Sequence, residues 1–323
     1  MAMKLDLKDW KILNQLDLNC RQSDAEIGKK TRISKQVVNY RIKRLTDNKI
    51  INSFFPHINI AKLGYAVHKI YLQFRALTKE KEQEMWDYFV KQPNIIWVIS
   101  CSGKWDLIFG IVSKNIEQFD KVLTSFMNRY SEFIVNRAIT VFNKATLHHR
   151  KWLLKNEKPI DWLLGGKIEE EKIDKIDMKI LNILNKDARK PIIEIAEEIK
   201  ISSSLVIQRI KKLQQKGIIG AFRVGLNREK LGINYCKSFI SYQNKTSEKE
   251  KELLEYCYIL PNILGVSQSI GTWDLELEFE VENYNDFHKI MKEMKNKFPL
   301  IRSFDTVYIE KEYGLSFLPK INL

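Results

Sequence analysis

Lys35, Gln36, Asn39, Tyr40 and Lys43 recur at the spacing of one helix face, and no carboxylate interrupts them. Such a face offers cations to phosphates and hydrogen-bonding groups to base edges, and an asparagine can read adenine. The surrounding stretch, Ile33 to Leu45 (ISKQVVNYRIKRL), supplies the scaffold. Ser34 is placed to cap a helix, and Val38, Ile42 and Leu45 fall on the opposite, apolar side. Upstream, Asp24 to Thr31 predicts a shorter helix, with Arg32 and Ile33 in the turn. Two short helices joined tightly, the second one basic, make a helix-turn-helix whose second helix enters the major groove. Lys29, Lys30, Arg32, Ser34 and Arg44 complete the candidate DNA-binding surface of this unit.

The stretch occurs twice. Adding 168 to each number turns Ile33 to Leu45 into Ile201 to Leu213 (ISSSLVIQRIKKL) without a gap. The duplicated surface is Ser202, Ser203, Ser204, Gln208, Lys211 and Lys212. The two copies differ in charge. Gly28 to Leu45 holds Lys29, Lys30, Arg32, Lys35, Arg41, Lys43 and Arg44 and no acid, a sum of +7. Ala196 to Leu213 holds Lys200, Arg209, Lys211 and Lys212 against Glu197 and Glu198, so 4 − 2 = +2. Ile207 stands where the first copy has Asn39. The first unit is therefore expected to carry most of the DNA affinity. Arg41 and Arg209 precede the buried isoleucine, and either phosphate or a carboxylate of the first helix could be their partner.

Charge over the whole chain agrees. Lys plus Arg is 54 and Asp plus Glu is 40, a formal +14 over 323 residues, which favours a polyanionic partner. Cys20, Cys101, Cys236 and Cys257 lack CxxC spacing, so free thiols in a reducing compartment are expected rather than a disulfide framework or zinc finger. Met1 to Asp9 has no apolar signal core, and no run approaches the roughly 20 apolar residues of a membrane span. A cytoplasmic, nucleoid-associated protein without a membrane partner is expected.

The elements that position these surfaces follow from periodicity. Asp6 and Asp9 suit the positive start of a first helix whose buried side is Ile12, Leu13 and Leu16. Ser53 to Ile60 is extended, as a winged helix requires of its ribbon. From Ala66 the period drops to two: His68, Ile70, Leu72 and Phe74 face one way, Lys69, Tyr71, Gln73 and Arg75 the other. The order that follows is β-α-β-β-α-β, a ferredoxin-like sheet with two helices on one face. The fold class is α+β. Residues 1–64 form a winged helix-turn-helix, 65–146 a ferredoxin-like domain, and 147–172 a linker. A second winged helix-turn-helix spans 173–232, and a second ferredoxin-like domain with a tail from Tyr313 spans 233–323. Trp152, Trp162 and their leucine neighbours make the linker too apolar for a free tether, so part of it should pack as a helix bent at Gly165-Gly166.

Two further patterns carry chemistry. Gly103-Lys-Trp105-Asp106 and Gly271-Thr-Trp273-Asp274 each sit between strands. The aspartate could bind an amino group and the indole wall a pocket. The plainer and preferred reading is a hairpin whose Asp caps its own backbone and whose Trp is core. Glu276, Glu278, Glu280 and Glu282 alternate with Leu275, Leu277, Phe279 and Val281 where the first copy is largely apolar. A solvated stripe is the preferred reading. The sharper one has it face Lys69, Tyr71 and Arg75 across a sheet-to-sheet interface, selecting unlike halves. His148-His149 suggests a solvated helix end. No phosphate loop, nucleophile elbow, paired-carboxylate motif or metal-ligand spacing appears, so no cofactor or metal is expected and the chain is not read as an enzyme.

Asp174-x-x-Asp177-x-Lys-Ile-Leu, Asp187-Ala-Arg, Glu194-Ile-Ala, Arg209-Ile-x-x-Leu213 and Gly217-Ile-Ile resemble the helix-turn-helix of the Lrp/AsnC regulators, and the Gly-x-Trp-Asp turns resemble that family's ligand-sensing RAM domain. The resemblance covers nearly the whole chain, twice. It implies a transcription regulator that pairs through facing RAM sheets, assembles into homo-oligomers, bends DNA and responds to an amino-acid effector. Two fused units imply a pseudo-dimer within one chain. An architectural DNA-coating protein of low sequence choice is the alternative. A sirohaem-decarboxylase-like enzyme on the same fold would need a basic, histidine-containing pocket in the sensing units, where the sequence shows only His68 and His288.

Overall fold

The computed structural model describes residues 4–154, 160–313 and 318–319. The first head holds α1 (Leu7–Leu18), α2 (Asp24–Thr31) and α3 (Lys35–Asp47). Every start is capped. Asp6 and Asp9 exchange side-chain-to-backbone bonds at α1, Ser23 and Glu26 do so at α2, and Ser34 Oγ accepts from Val37 N at α3. Val38, Ile42 and Leu45 join Ile12, Leu13, Leu16 and Ile27 in one buried cluster. Then come β1 (Ile51–Ile58), β2 (Ala66–Phe74), α4 (Lys79–Lys91), β3 (Ile95–Gly103), β4 (Leu107–Ser113), α5 (Ile116–Tyr130) and β5 (Ile134–His148). After β6 (Asp161–Gly165) the plan repeats as α6 (Lys175–Lys186), α7 (Ile192–Ile199), α8 (Ser203–Gln215) and β7 (Ile219–Leu226). It ends with β8 (Asn234–Tyr242), α9 (Ser247–Ile259), β9 (Ile263–Gly271), β10 (Leu275–Val281), α10 (Tyr284–Lys297) and β11 (Ile301–Tyr313).

The wing is not built within one copy. β1 pairs antiparallel with β7, so each copy supplies one strand of a shared ribbon, with Phe55 opposite Arg223 at its centre. Those two residues are equivalents in the duplication, and the contacts around them are reciprocal. Arg21 donates to the carbonyls of Ala188 and Lys190, and Arg189 donates to those of Cys20 and Gln22. Cys20 N donates to Phe222 O and Ala188 N to Phe54 O, both at 2.9 Å. Arg21 stacks over Phe222 and Arg189 over Phe54. A surface that meets its own copy in this way is the isologous interface of a two-fold dimer, held here inside one polypeptide.

The ferredoxin-like units also share their sheets. The strand order β2-β4-β3-β11-β8-β10-β9-β5 closes where β5 pairs back with β2. The long last strand of each unit crosses over: β5 leaves β2 for β9, and β11 leaves β8 for β3. Helices α4 and α5 cover one outer face through Met85, Phe89, Phe119 and Phe126, and α9 and α10 cover the other through Leu253, Phe287, Met291 and Met294. Tyr71, Trp105, Phe239 and Trp273 fill the space between the facing sheets.

Three expectations from sequence need correction. The acidic stripe is solvated only at its end: Glu276 and Glu280 are each 1% exposed and Glu278 is half-buried, while Glu282 is exposed. Lys69 Nζ and Tyr71 Oη donate to Glu276 at 2.9 and 2.6 Å, and Lys237 Nζ and Tyr235 Oη donate to Glu278 at 2.7 and 3.0 Å. A central strand facing a second sheet leaves no wet side, so the sharper reading describes Lys69 and Tyr71, though not Arg75. The linker packs in part as a strand and not as a helix, with β6 lying on the end of β5 and Leu147 opposite Trp162; the bend at Gly165 and Gly166 is present, at φ +80° and +88°. Residues 155–159 of the linker lie outside the described residues. His148 and His149 are buried at the end of β5, where Asp161 Oδ1 lies 2.6 Å from His148 Nδ1 and Ile160 N donates to His149 Nδ1 at 3.0 Å. At the C-terminal end Tyr313 belongs to β11, and of the expected tail residues 314–317 and 320–323 lie outside the described residues.

Candidate nucleic-acid interface and the cavity behind it

Helix α3 buries its apolar side and turns Lys35, Gln36, Asn39, Tyr40 and Lys43 outward; Tyr40 is 64% exposed. Lys29, Lys30, Arg32 and Ser34 are exposed beside them, and Arg32 closes α2 in the left-handed region. Arg44 does not belong to this surface. It reaches back to Asp9, with Nη2 at 2.8 Å from both carboxylate oxygens. Arg41 likewise donates to Asp6 and Asp9 at 2.8–2.9 Å, and Arg209 to Asp174 and Asp177. These arginines tie the recognition helix to the first helix of its own head. The Asp9 backbone N–H, and then Arg41, hold the Asp6 carboxyl at about 2. Asn39 Nδ2 donates to Asp24 Oδ2 at 2.8 Å, and Asp24 is itself paired with Arg189 of the other head. Of the seven cations between Gly28 and Leu45, those left facing outward are thus Lys29, Lys30, Arg32, Lys35 and Lys43.

In the second head Ser202, Ser204, Gln208, Lys211 and Lys212 are exposed and Ser203 is half-buried, with Ser202 Oγ capping α8 at Leu205 N. Ile207 is 55% exposed on the same face. Glu197 and Glu198 are exposed on α7, and Glu198 pairs with Lys190.

The Gly-x-Trp-Asp turns look inward. Trp105 and Trp273 are 5% and 4% exposed in the space between the sheets. Asp106 Oδ2 accepts from Phe74 N at 2.7 Å and Asp274 Oδ2 from Tyr242 N at 2.8 Å, so each carboxylate ties its hairpin to the neighbouring strand. Gly103 and Gly271 have φ +120° and +141°, and a Cβ there would stand 2.6 Å from Thr306 O and 2.7 Å from Ile139 O. The two aspartates thus already serve the backbone and Trp273 Nε1 donates to Glu276 Oε1 at 3.3 Å, an arrangement that favours the hairpin reading of these six residues over a ligand-binding one.

Sequence reading missed a charged hub that joins heads and sheet. Asp17, at the end of α1, is fully buried. It accepts from Arg150 N and Nη1 at 2.6 Å and from Arg223 Nε and Nη2 at 2.7–3.1 Å. Arg150 continues to Glu280, where Arg228 Nε and Trp152 Nε1 also arrive, and Arg228 Nη1 reaches Glu312. Burial alone would raise the Glu280 carboxyl, but Arg150 and Arg228 outweigh it and hold it at about 2. The available signal was Asp17 falling beside Leu16 and Leu13 on the apolar side of α1; Arg150 and Arg223 had none, because their partners are distant in sequence.

Behind the ribbon, between it and the end of the closed sheet, lies a cavity of about 420 Å3. Lys69, Lys237, Arg150, Arg223, Arg228 and His57 reach it. Burial and Arg223 push the His57 imidazole down to about 3, which leaves it neutral. The expectation that the sensing units hold no basic, histidine-containing pocket needs amending, since the pocket forms between units from residues scattered over the chain. His68 and His288 lie outside it: His68 stacks on Phe119 and His288 meets Tyr308 on the helix-covered faces. Among the described residues no cluster of His, Cys, Asp or Glu is arranged to hold a metal, and no helix is long and apolar enough to cross a membrane.

The comparisons agree with this architecture. A family of winged helix-turn-helix DNA-binding domains matches at residues 5–52 and again at 173–219. The HTH-type transcriptional regulator FL11 of Pyrococcus furiosus is 31% identical over 122 residues, covering 37% of this chain and 78% of that protein. The regulatory protein AsnC of Haemophilus influenzae is 26% identical over 135 residues, covering 42% of this chain and 89% of that protein. The crystal structure of the siroheme decarboxylase NirDL superposes with a TM-score of 0.61 at 12% identity, over 94% of this chain and 91% of that one, and so shares the fold of the complete double unit.

Proposed function

The chain belongs to the Lrp/AsnC family of HTH-type transcription regulators, and from that premise we propose that it grips duplex DNA as a ready-made dimer, chiefly through the outward face of α3. The observation that carries this is the exposed row Lys35, Gln36, Asn39, Tyr40 and Lys43, in which Asn39 alone meets a carboxylate, that of Asp24, while Asp6 and Asp9 are taken up by Arg41 and Arg44. The second head presents fewer cations and an exposed Ile207, and contributes less. Each lysine that meets a phosphate adds roughly one unit to the salt dependence of binding. Duplex binding by Lys35→Glu/Lys43→Glu should therefore fall at least tenfold, with a shallower salt slope. Ser203→Glu/Lys211→Glu should lose far less, and equal losses would reject the asymmetry.

The wider assignment follows the family: a regulator and not an enzyme, working in the cytoplasm on the nucleoid, with homo-oligomers beyond the single chain and an amino-acid effector acting on the sensing units. Sharp footprints at a few promoters support a sequence-specific regulator; uniform coverage with a steep salt slope supports the architectural alternative. One observation favours a second reading, as an enzyme acting on sirohaem: the cation-lined cavity in a chain that shares the fold of a siroheme decarboxylase throughout. A haem-type absorption band that builds up stoichiometrically when iron uroporphyrin is added to the purified protein would turn the assignment that way.

A further inference from the structure

The walls of the cavity behind the ribbon are largely apolar and include Phe55, Trp97, Phe142, Leu147 and Leu264. At about 420 Å3 it falls in the range that encloses a small organic ligand. Exposed Val141 and Ile270 stand at its rim.

The charged groups on these walls are unequal in how fully they are engaged. The guanidinium of Arg223 meets both oxygens of Asp17 and the carbonyl of His148, and that of Arg150 meets Asp17, Glu280 and the carbonyl of Val224. The two lysines are different. Lys69 and Lys237 occupy equivalent places in the duplication, on β2 and β8, and each is 5% exposed. An ammonium has three N–H groups. Among the described residues each of these donates to a single carboxylate, Glu276 or Glu278. The rest of each head faces an aromatic wall, with Lys69 Nζ 5.3 Å from the Phe142 ring centre and Lys237 Nζ 5.4 Å from that of Trp97. Two buried ammonium groups with donors left over thus border one apolar space. The carboxylates nearby are already taken: Glu278 by Lys237 and Tyr235, and Glu312 by Arg228.

We propose that this cavity is a binding site for an apolar carboxylic acid that bears no amino group, its carboxylate received by Lys69 and Lys237 and its body lying against Trp97 and Phe142. The charge-assisted bonds from two desolvated donors select the anion over a neutral molecule of the same shape. An α-amino group is selected against, because the carboxylates that could answer its charge are already paired, and a buried unpaired charge is costly. The site is separate from the Gly-x-Trp-Asp turns, which line no part of this cavity.

A matched trio tests this with the full chain: indole-3-propionate, indole-3-propionamide and L-tryptophan, titrated by calorimetry. Indole-3-propionate should bind once per chain, at least tenfold more tightly than either of the other two. Lys69→Met or Lys237→Met alone would strand a buried glutamate, so each is paired with the isosteric neutral partner, as Lys69→Met/Glu276→Gln and Lys237→Met/Glu278→Gln. In either double variant the preference over the amide should shrink to threefold or less. Ile270→Trp, a substitution on the exposed rim, should weaken the acid without altering the melting temperature. Equal binding of acid and amide, tighter binding of L-tryptophan, a preference that survives both double variants, or no saturable binding of the acid by a folded protein would each overturn the proposal. None of these readouts depends on DNA, so the site stands or falls apart from the regulatory reading.

Discussion

Asp17→Asn should unpin both heads from the sheet. In the native chain the Asp17 carboxylate is fully buried and takes five N–H contacts, two from Arg150 and three from Arg223. The amide keeps the shape but removes the charge and turns an NH2 toward two guanidinium groups. Arg150 retains Glu280, whereas Arg223 loses its ion-pair partner. Breaking one side of a buried pair costs about 3–5 kcal/mol, mostly through the charge left behind. Unfolding entropy is roughly 2.1 cal/mol/K per residue, so for 323 residues about 0.7 kcal/mol/K, and the melting temperature should drop by about 4–7 °C if the chain melts as one unit. The assay is a thermal melt at pH 7 followed by circular dichroism, with Glu170→Gln as control. Glu170 pairs with Lys114 in solvent, at 66% side-chain exposure, and its loss should move the melt by about 1 °C or less. Adding Arg223→Met to Asp17→Asn removes the stranded cation and should recover part of the loss. A melt for Asp17→Asn within about 1 °C of wild type would refute the claim that this hub holds the heads in place.

Acid should unfold the protein in a defined window. Lys237 holds the Glu278 carboxyl, and Arg150 with Arg228 the Glu280 carboxyl, at about 2 against burial that would raise them, compared with 4.5 for a free glutamate. The unfolded chain therefore binds more protons between pH 4.5 and 2, so stability is fully present above that range and falls as pH drops through it; melts that keep their midpoint down to pH 3 would contradict this. Gly103→Ala and Gly271→Ala should each destabilise by about 1–3 kcal/mol, since both the backbone angle and a carbonyl oppose a side chain, while Gly217→Ala, with open space around it, should lose less. Asn39→Ala should leave non-specific binding intact and cost about 1–3 kcal/mol of discrimination at one base pair, read by competition between operator variants.

Local chemistry was legible in the sequence. Asp6 and Ser34 start their helices as read, and Val38, Ile42 and Leu45 turn inward as their spacing requires. The closed sheet's helices and strands follow the β-α-β-β-α-β order, because each element carries its own period. What could not be read was the choice of neighbour. Nothing in Ser53 to Ile58 says that its partner strand is β7 rather than a strand of its own copy, and pairing across more than 160 residues leaves no local trace. The alternation at Glu276, Glu278 and Glu280 was visible, but its wet or dry side depends on a facing sheet. Arg44 looked like a phosphate contact because its partner, Asp9, is 35 positions away. Part of the linker was read as a helix from its apolar content; the strand at Asp161–Gly165 depends on β5 running on to His148 and offering an edge.

The reciprocal contacts of Arg21 and Arg189 describe a dyad, yet the two sides are encoded separately. In a pair of identical chains every change appears twice, so a glutamate placed opposite Lys69 would bring a second glutamate beside its equivalent, whether wanted there or not. A tandem gene escapes that doubling. Ile108 and Glu276 occupy matching places and have different jobs, one filling apolar space and the other answering a lysine. Dilution cannot part the halves, and each can change without obliging its twin to follow.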